Sequence, residues 1–142
     1  MLGVNSYTQE YIDQCRARVA AQVKTYKAVV SAATKAKSAP VGKALDALEP
    51  VFFNNMVLVL DSYFTHRLRG MEGKDGNPLN EVRVLCTSML EHANVMQAEK
   101  TIKMNPATSV LGYDVGDEIR VSQADFGRLS DAYFAEIEAK YT

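Results

Sequence analysis

The chain has 142 residues, 47% of them apolar, and a formal net charge of −1 from 16 Lys/Arg and 17 Asp/Glu. That length accommodates one domain with a real core, and the charge balance excludes a strongly cationic nucleic-acid arm and a highly charged disordered chain. Two cysteines are too few for a disulfide framework, Met1–Glu10 has no basic start followed by an apolar run, and the longest strictly apolar run, Met56–Leu60, is far short of a bilayer span. The expectation is a single domain over residues 1–142, cytoplasmic and off the membrane.

The charge is unevenly spread. Residues 1–43 carry seven Lys/Arg and two acids, whereas residues 44–142 carry nine Lys/Arg and fifteen acids. Either the basic N-terminal helix packs on an acidic remainder, or it meets phosphate.

In chain order, the first predicted helix runs from Tyr7 to Lys37, with Ser6 and Gln9 in the form of a capping box. Ile12, Cys15, Val19, Val23, Tyr26, Val30 and Ala33 make its apolar stripe, and Arg16, Lys24, Lys27 and Lys35 lie on another. Val41 to Met71 forms a second helical region, kinked or broken at Pro50. Its later part, through Phe52, Phe53, Met56–Leu60, Tyr63, Phe64 and Leu68, is apolar around nearly the whole circumference and reads as the central helix. Gly70 to Asn77 breaks the pattern, with Asn77 as a cap and Pro78 at the first helical position of a third helix ending near Ala93. Val82, Cys86, Met89 and Ala93 form its core stripe; Asn80, Arg83, Thr87 and Glu91 form a polar one. Asn94 to Val121 is irregular, and its ending, Gly116–Val121, reads as a short strand or an extended connector. Ser122, with Asp125 three residues on, caps a last helix that buries Phe126, Leu129, Tyr133, Ile137 and Tyr141, with Phe134 beside the stripe and free to reach a partner subunit. The fold class is all-α: a bundle of four main helices with a long irregular connection before the last. Connections of that length in a compact bundle are often functional.

Few residues carry chemistry. His66 closes the central helix beside Arg67 and Arg69, and His92 closes the third helix before the long connection. Both positions suit a cation at a helix end; His92 also suits a general base. Two His without HExxH make no metal site, so neither metal nor other cofactor is expected. Ser88 and His92 share a helix face but nothing implies an oxyanion hole, and Gly70–Gly76 lacks the preceding strand of a phosphate-binding loop. Cys86 falls on the apolar stripe as a packing thiol.

The run Asn80-Glu81-Val82-Arg83-Val84-Leu85-Cys86-Thr87-Ser88-Met89-Leu90-Glu91-His92, then Gly116-Asp117-Glu118-Ile119 and Ser122-Gln123-Ala124-Asp125-Phe126, resembles the HEPN superfamily of small all-helical domains in its local layout. The resemblance covers about 60 residues. It implies a homodimer and, in active relatives, metal-free RNA cleavage by an Arg, a polar residue and a His meeting their symmetry mates. Here His92 stands for the His and Thr87 for the polar residue, but Cys86 occupies the Arg position. A thiol cannot supply a guanidinium's charge or its fork of donors. Arg83 is nine residues before His92, on the opposite side of an ideal helix.

The expectation is therefore a HEPN-like dimer with a degenerate ribonuclease site. It would bind RNA, a nucleotide or a protein partner near His92 and the long connection. His92 and Arg83 are the catalytic candidates; Arg67, Arg69, Asn80, Thr87, Ser88 and Glu91 are the ligand-contacting ones. A non-enzymatic interaction or regulatory module is the alternative.

Overall fold

The structure is a computed structural model that describes residues 3–142. Its helices are α1 (Gln9–Ala36), α2 (Ala39–Ser62), α3 (Arg69–Glu72), α4 (Pro78–Glu91) and α5 (Gln123–Tyr141). Four long helices pack as an all-α bundle in which α2 and α5 each touch the other main helices, and the one-turn α3 lies against α5.

The caps follow the local chemistry. Thr8, not Ser6, caps α1 by accepting from the Tyr11 amide, so the helix starts two residues later than the capping-box pattern implies. At its far end Lys37 turns left-handed (φ 52°) and donates its amide to Thr34. Ser38 then starts α2 almost without a linker, giving a tight antiparallel hairpin. Asn77 accepts from the amides of Leu79 and Asn80 at the start of α4, and Ser122 accepts from Asp125 at the start of α5.

Three expectations are corrected. First, α2 is one continuous helix through Pro50, so of the two alternatives there the break does not hold. Proline removes one amide donor, but the carbonyl it leaves unpaired belongs to Asp46, on an exposed residue where water can bond it. Second, α2 ends at Ser62 rather than Met71. Residues 63–68 turn instead, because their backbone pairs with the N-terminal segment: Val4 donates to the His66 carbonyl, and Leu68 donates to that of Val4. Gly3 permits this approach, since a Cβ there would lie 2.7 Å from the Leu68 Cα. Third, the most enclosed helix is α4, not α2. Eight of the fourteen α4 residues are buried, against four of twenty-four in α2. α2 leaves Val41, Leu48 and Val51 exposed.

Aromatic rings fill the centre. Phe64 meets Tyr7 edge-on at 4.9 Å and Phe134 edge-on at 6.0 Å; Phe53 meets Tyr26 edge-on at 4.8 Å. Phe134 is 1% exposed, with Arg16 over its ring at 5.0 Å, so it packs inside the chain rather than reaching outward. Each such buried ring contributes about 1.5–3 kcal/mol of transfer free energy.

The segment between α4 and α5 is ordered and half-buried. Backbone bonds close its neck: Gly116 donates to the Met96 carbonyl, Met96 to that of Asp117 and Ile119 to that of Asn94. Val95 and Glu118 form an isolated antiparallel bridge there, so the Gly116–Val121 stretch is an extended connector. Met96, Ile102, Ile119 and Val121 are buried. The segment also docks on the α3–α4 turn, where Lys103 donates to the Lys74 carbonyl and a Cβ on Gly76 (φ 87°) would sit 2.5 Å from the Lys103 oxygen.

Candidate functional site

Three groups of polar residues answer the sequence expectations, and they differ in what their charges face.

The first is a buried ionic cluster where α3 meets α4. Glu72 is 1% exposed and is held by two arginines. Arg67 donates Nε to its Oε1 at 2.9 Å, and Arg83 donates Nη2 to Oε1 at 2.6 Å and Nε to Oε2 at 3.1 Å. Asn80 adds an amide bond to Oε2 at 2.7 Å and accepts from the Gly76 amide. Arg67 also reaches Asp61 at 3.0 Å, the Phe64 carbonyl and the Tyr133 hydroxyl. Its Nη2 is the one buried side-chain polar atom without a partner among the described residues. Burial works against the Glu72 charge, but the Arg83 hydrogen bond and the two guanidinium charges outweigh it and hold the carboxyl below its ordinary value. Burial likewise works against Arg67, and Tyr133, Asp61 and Glu72 more than offset it. Arg67 and Asn80, expected to contact a ligand, are 2% and 0% exposed and are spent on this cluster. Lys140 donates to the Glu72 carbonyl at 2.8 Å and ties the cluster to α5.

The second group surrounds His92. Arg83, Thr87, Ser88, Glu91 and His92 all line one cavity of about 140 Å³, closed on its other side by Gln97, Ala98 and Glu99. The opposite-side geometry expected for Arg83 and His92 does not hold, because the helix ends at Glu91 and His92 leaves its path at φ −131°, ψ 30°. His92 is an exposed cap whose amide donates to the Ser88 carbonyl. Ser88 is buried and its hydroxyl accepts from the Gln97 amide at 3.0 Å, so it fixes the start of the long segment and is no nucleophile. The Arg83 charge is compensated by Glu72, and Glu91 and Glu99 face the same cavity. Cys86 donates weakly to the Val57 carbonyl, and burial pushes its thiol well up, so it cannot stand in for an arginine. Arg69 is exposed on α3, away from this cavity and on another lined by His66 and Arg67. No group of three or more metal-ligating side chains occurs among the described residues.

The third group is the outer face of the α1–α2 hairpin. Between Asp13 and Asp46 the chain has no acidic residue and seven cations: Arg16, Arg18, Lys24, Lys27, Lys35, Lys37 and Lys43. Arg16 is committed to Asp13 and Glu138. The other six are exposed, and none forms an ion pair among the described residues. Lys24, Lys27 and Lys35 fall within one face of about 80° at 100° per residue. Beside Lys24 and Lys27, a groove of about 300 Å³ separates α1 from α5.

No family model, no curated protein and no solved structure matches this chain. No helix among the described residues is long and apolar enough to cross a membrane.

Several residues that organise these groups have no motif to announce them. Glu81 is 2% exposed and accepts from the amides of Val110 at 2.8 Å and Leu111 at 2.9 Å, pinning the middle of the long segment. Burial raises its carboxyl above the ordinary value despite those two amides. Asn54 donates to the Ile119 carbonyl and accepts from the Val121 amide, completing the strand-like contacts that the connector lacks. Glu49 accepts from the Gln123 amide at the start of α5. A polar residue inside an apolar stripe was the available signal, as with Asn54 two residues before Met56.

Proposed function

We propose that this protein is a HEPN-like helical module that binds RNA without cleaving it, and that its contact surface is the cationic face of α1. One observation carries this reading: exposed cations, free of acidic neighbours in sequence and of ion pairs in the fold, lie along one helix face. Charges placed this way interact with a polyanion at little cost, because none must first leave an internal partner. The groups around His92 support binding over catalysis. Phosphoryl-transfer chemistry needs a cation free to meet developing negative charge, and the Arg83 guanidinium already faces Glu72.

The test is a fluorescence-anisotropy titration of the full chain against a labelled 20-nucleotide oligouridylate, across a salt series. Four or five phosphate contacts predict log affinity falling with log salt at a slope of about −3. Absence of binding at 50 mM salt would contradict the reading. Intact RNA on a denaturing gel after incubation is the expected companion result.

A second reading keeps a residual nuclease in the cavity, where His92 would act as the base or acid across a homodimer. The shared cavity of Arg83, Thr87 and His92 favours it. It requires cleavage by the wild type and loss of cleavage in His92→Ala. The homodimer itself is a separate proposal, resting on the family resemblance and on the exposed apolar Val51 and Leu90 that flank the α2–α4 groove. Sedimentation equilibrium with Val51→Glu tests it: a wild-type dimer and a monomeric variant are expected.

A further inference from the structure

The groove between α1 and α5 is asymmetric. Its α1 wall carries Lys24, Lys27 and Arg16, the last already paired with Asp13 and Glu138; its α5 wall carries Phe126, Ser130 and Asp131. A phosphodiester backbone along the lysine wall would place its sugars toward α5. The Asp131 carboxylate would repel phosphate, so it is badly placed for a second strand. It is well placed to accept a hydrogen bond from a hydroxyl. The lysine face runs on to Lys35, about 16 Å further along α1 from Lys24, which is roughly the length of five stacked nucleotides.

We infer that this groove seats one strand of RNA, with phosphates on Lys24 and Lys27 and a ribose 2′-hydroxyl donating to Asp131. The inference rests on the RNA-binding role proposed above and adds where the strand lies and why it is RNA rather than DNA. The 2′-hydroxyl is the group by which a protein separates the two at a given site. Gly127 is part of the same groove, and a Cβ there would meet nothing within 4 Å, so a side chain can be started there without a backbone clash.

The experiment compares a 20-nucleotide oligouridylate with its deoxy counterpart, at 50 mM salt, on wild type, Asp131→Ala and Gly127→Leu. The wild type is expected to bind the RNA about fivefold more tightly than the DNA, the worth of one ordinary hydrogen bond. Asp131→Ala should bring the two affinities together, chiefly by strengthening DNA binding. Gly127→Leu should weaken RNA binding at least fivefold with no fall in thermal midpoint, because leucine replaces glycine in a helix. Equal affinities for the two strands on the wild type, or undiminished RNA binding by Gly127→Leu, would overturn the groove while leaving a binding role on the α1 face intact. No binding of either strand would overturn both. Binding to polyglutamate but not to RNA would also overturn the groove and point to an acidic protein instead.

Discussion

The two ends of this bundle handle charge in opposite ways. At the α3–α4 corner, Glu72 is enclosed and takes two arginines and an asparagine amide before its charge is satisfied. Along α1 and the hairpin tip, lysines stand in solvent with no carboxylate paired to them among the described residues. A buried charge must be compensated where it lies, so residues of the first kind specify how the helices meet. An exposed uncompensated charge contributes nothing to folding, and several aligned on one face raise the local field for a polyanion. Arg67 and Arg83, expected to serve a ligand or its chemistry, belong to the first kind, while Arg69 is exposed; the lysines on the other α1 stripe belong to the second.

Breaking the buried end has the largest expected effect. Glu72→Ala leaves Arg67 buried with Asp61 as its one remaining carboxylate partner and strips Arg83 of its own, and should cost about 3–5 kcal/mol in urea unfolding. A loss under 1 kcal/mol would mean that the corner is not the brace described here. The pH dependence follows from the same group. Its folded value lies below the ordinary 4.5, so its contribution is complete above 4.5 and is lost as pH falls through the lowered folded value. Acid unfolding curves of wild type and Glu72→Gln should therefore converge in that acidic window.

Glu81 has the opposite sign and a smaller effect. Its folded value is raised, so its contribution is full below the unfolded value and declines as pH rises through the raised one. The unfolding free energy of wild type in urea should fall across that upper range relative to Glu81→Gln, because desolvation of the charge is what raises the value. Glu81→Ala should remove hydrogen-exchange protection of the Val110 and Leu111 amides at all pH values, at a cost of about 1–3 kcal/mol. The smallest effect sharpens the comparison from the other end. Replacing Lys24, Lys27 and Lys35 together by Gln should change stability by less than about 0.5 kcal/mol per site, since each is exposed and unpaired.

The bundle was legible because its stripes are long. Ile12, Cys15, Val19 and Tyr26 on α1, and Phe126 to Tyr141 on α5, are buried at the spacing that revealed them. Asn77, Pro78 and Ser122 marked helix starts because capping is local chemistry. The end of α2 was hidden, because it depends on backbone pairing with Val4, more than sixty residues away. The rank of α4 over α2 was hidden for a related reason: Asn80, Glu81 and Ser88 lie off the apolar stripe, and only the partners that enclose them show that they are buried. The cavity at His92 gathered five expected site residues, because four share a helix face and the fifth ends it. That neighbours already occupy their charges could not be read from spacing, since Glu72 lies on a different element.

The most direct test sets the α1 face against the His92 cavity in one binding measurement. Wild type, the Lys24→Gln/Lys27→Gln/Lys35→Gln variant and His92→Ala are titrated with the same labelled oligouridylate at 50 mM salt. The account predicts at least a tenfold loss for the lysine variant and wild-type affinity for His92→Ala. Full binding by the lysine variant, together with loss in His92→Ala, would contradict it.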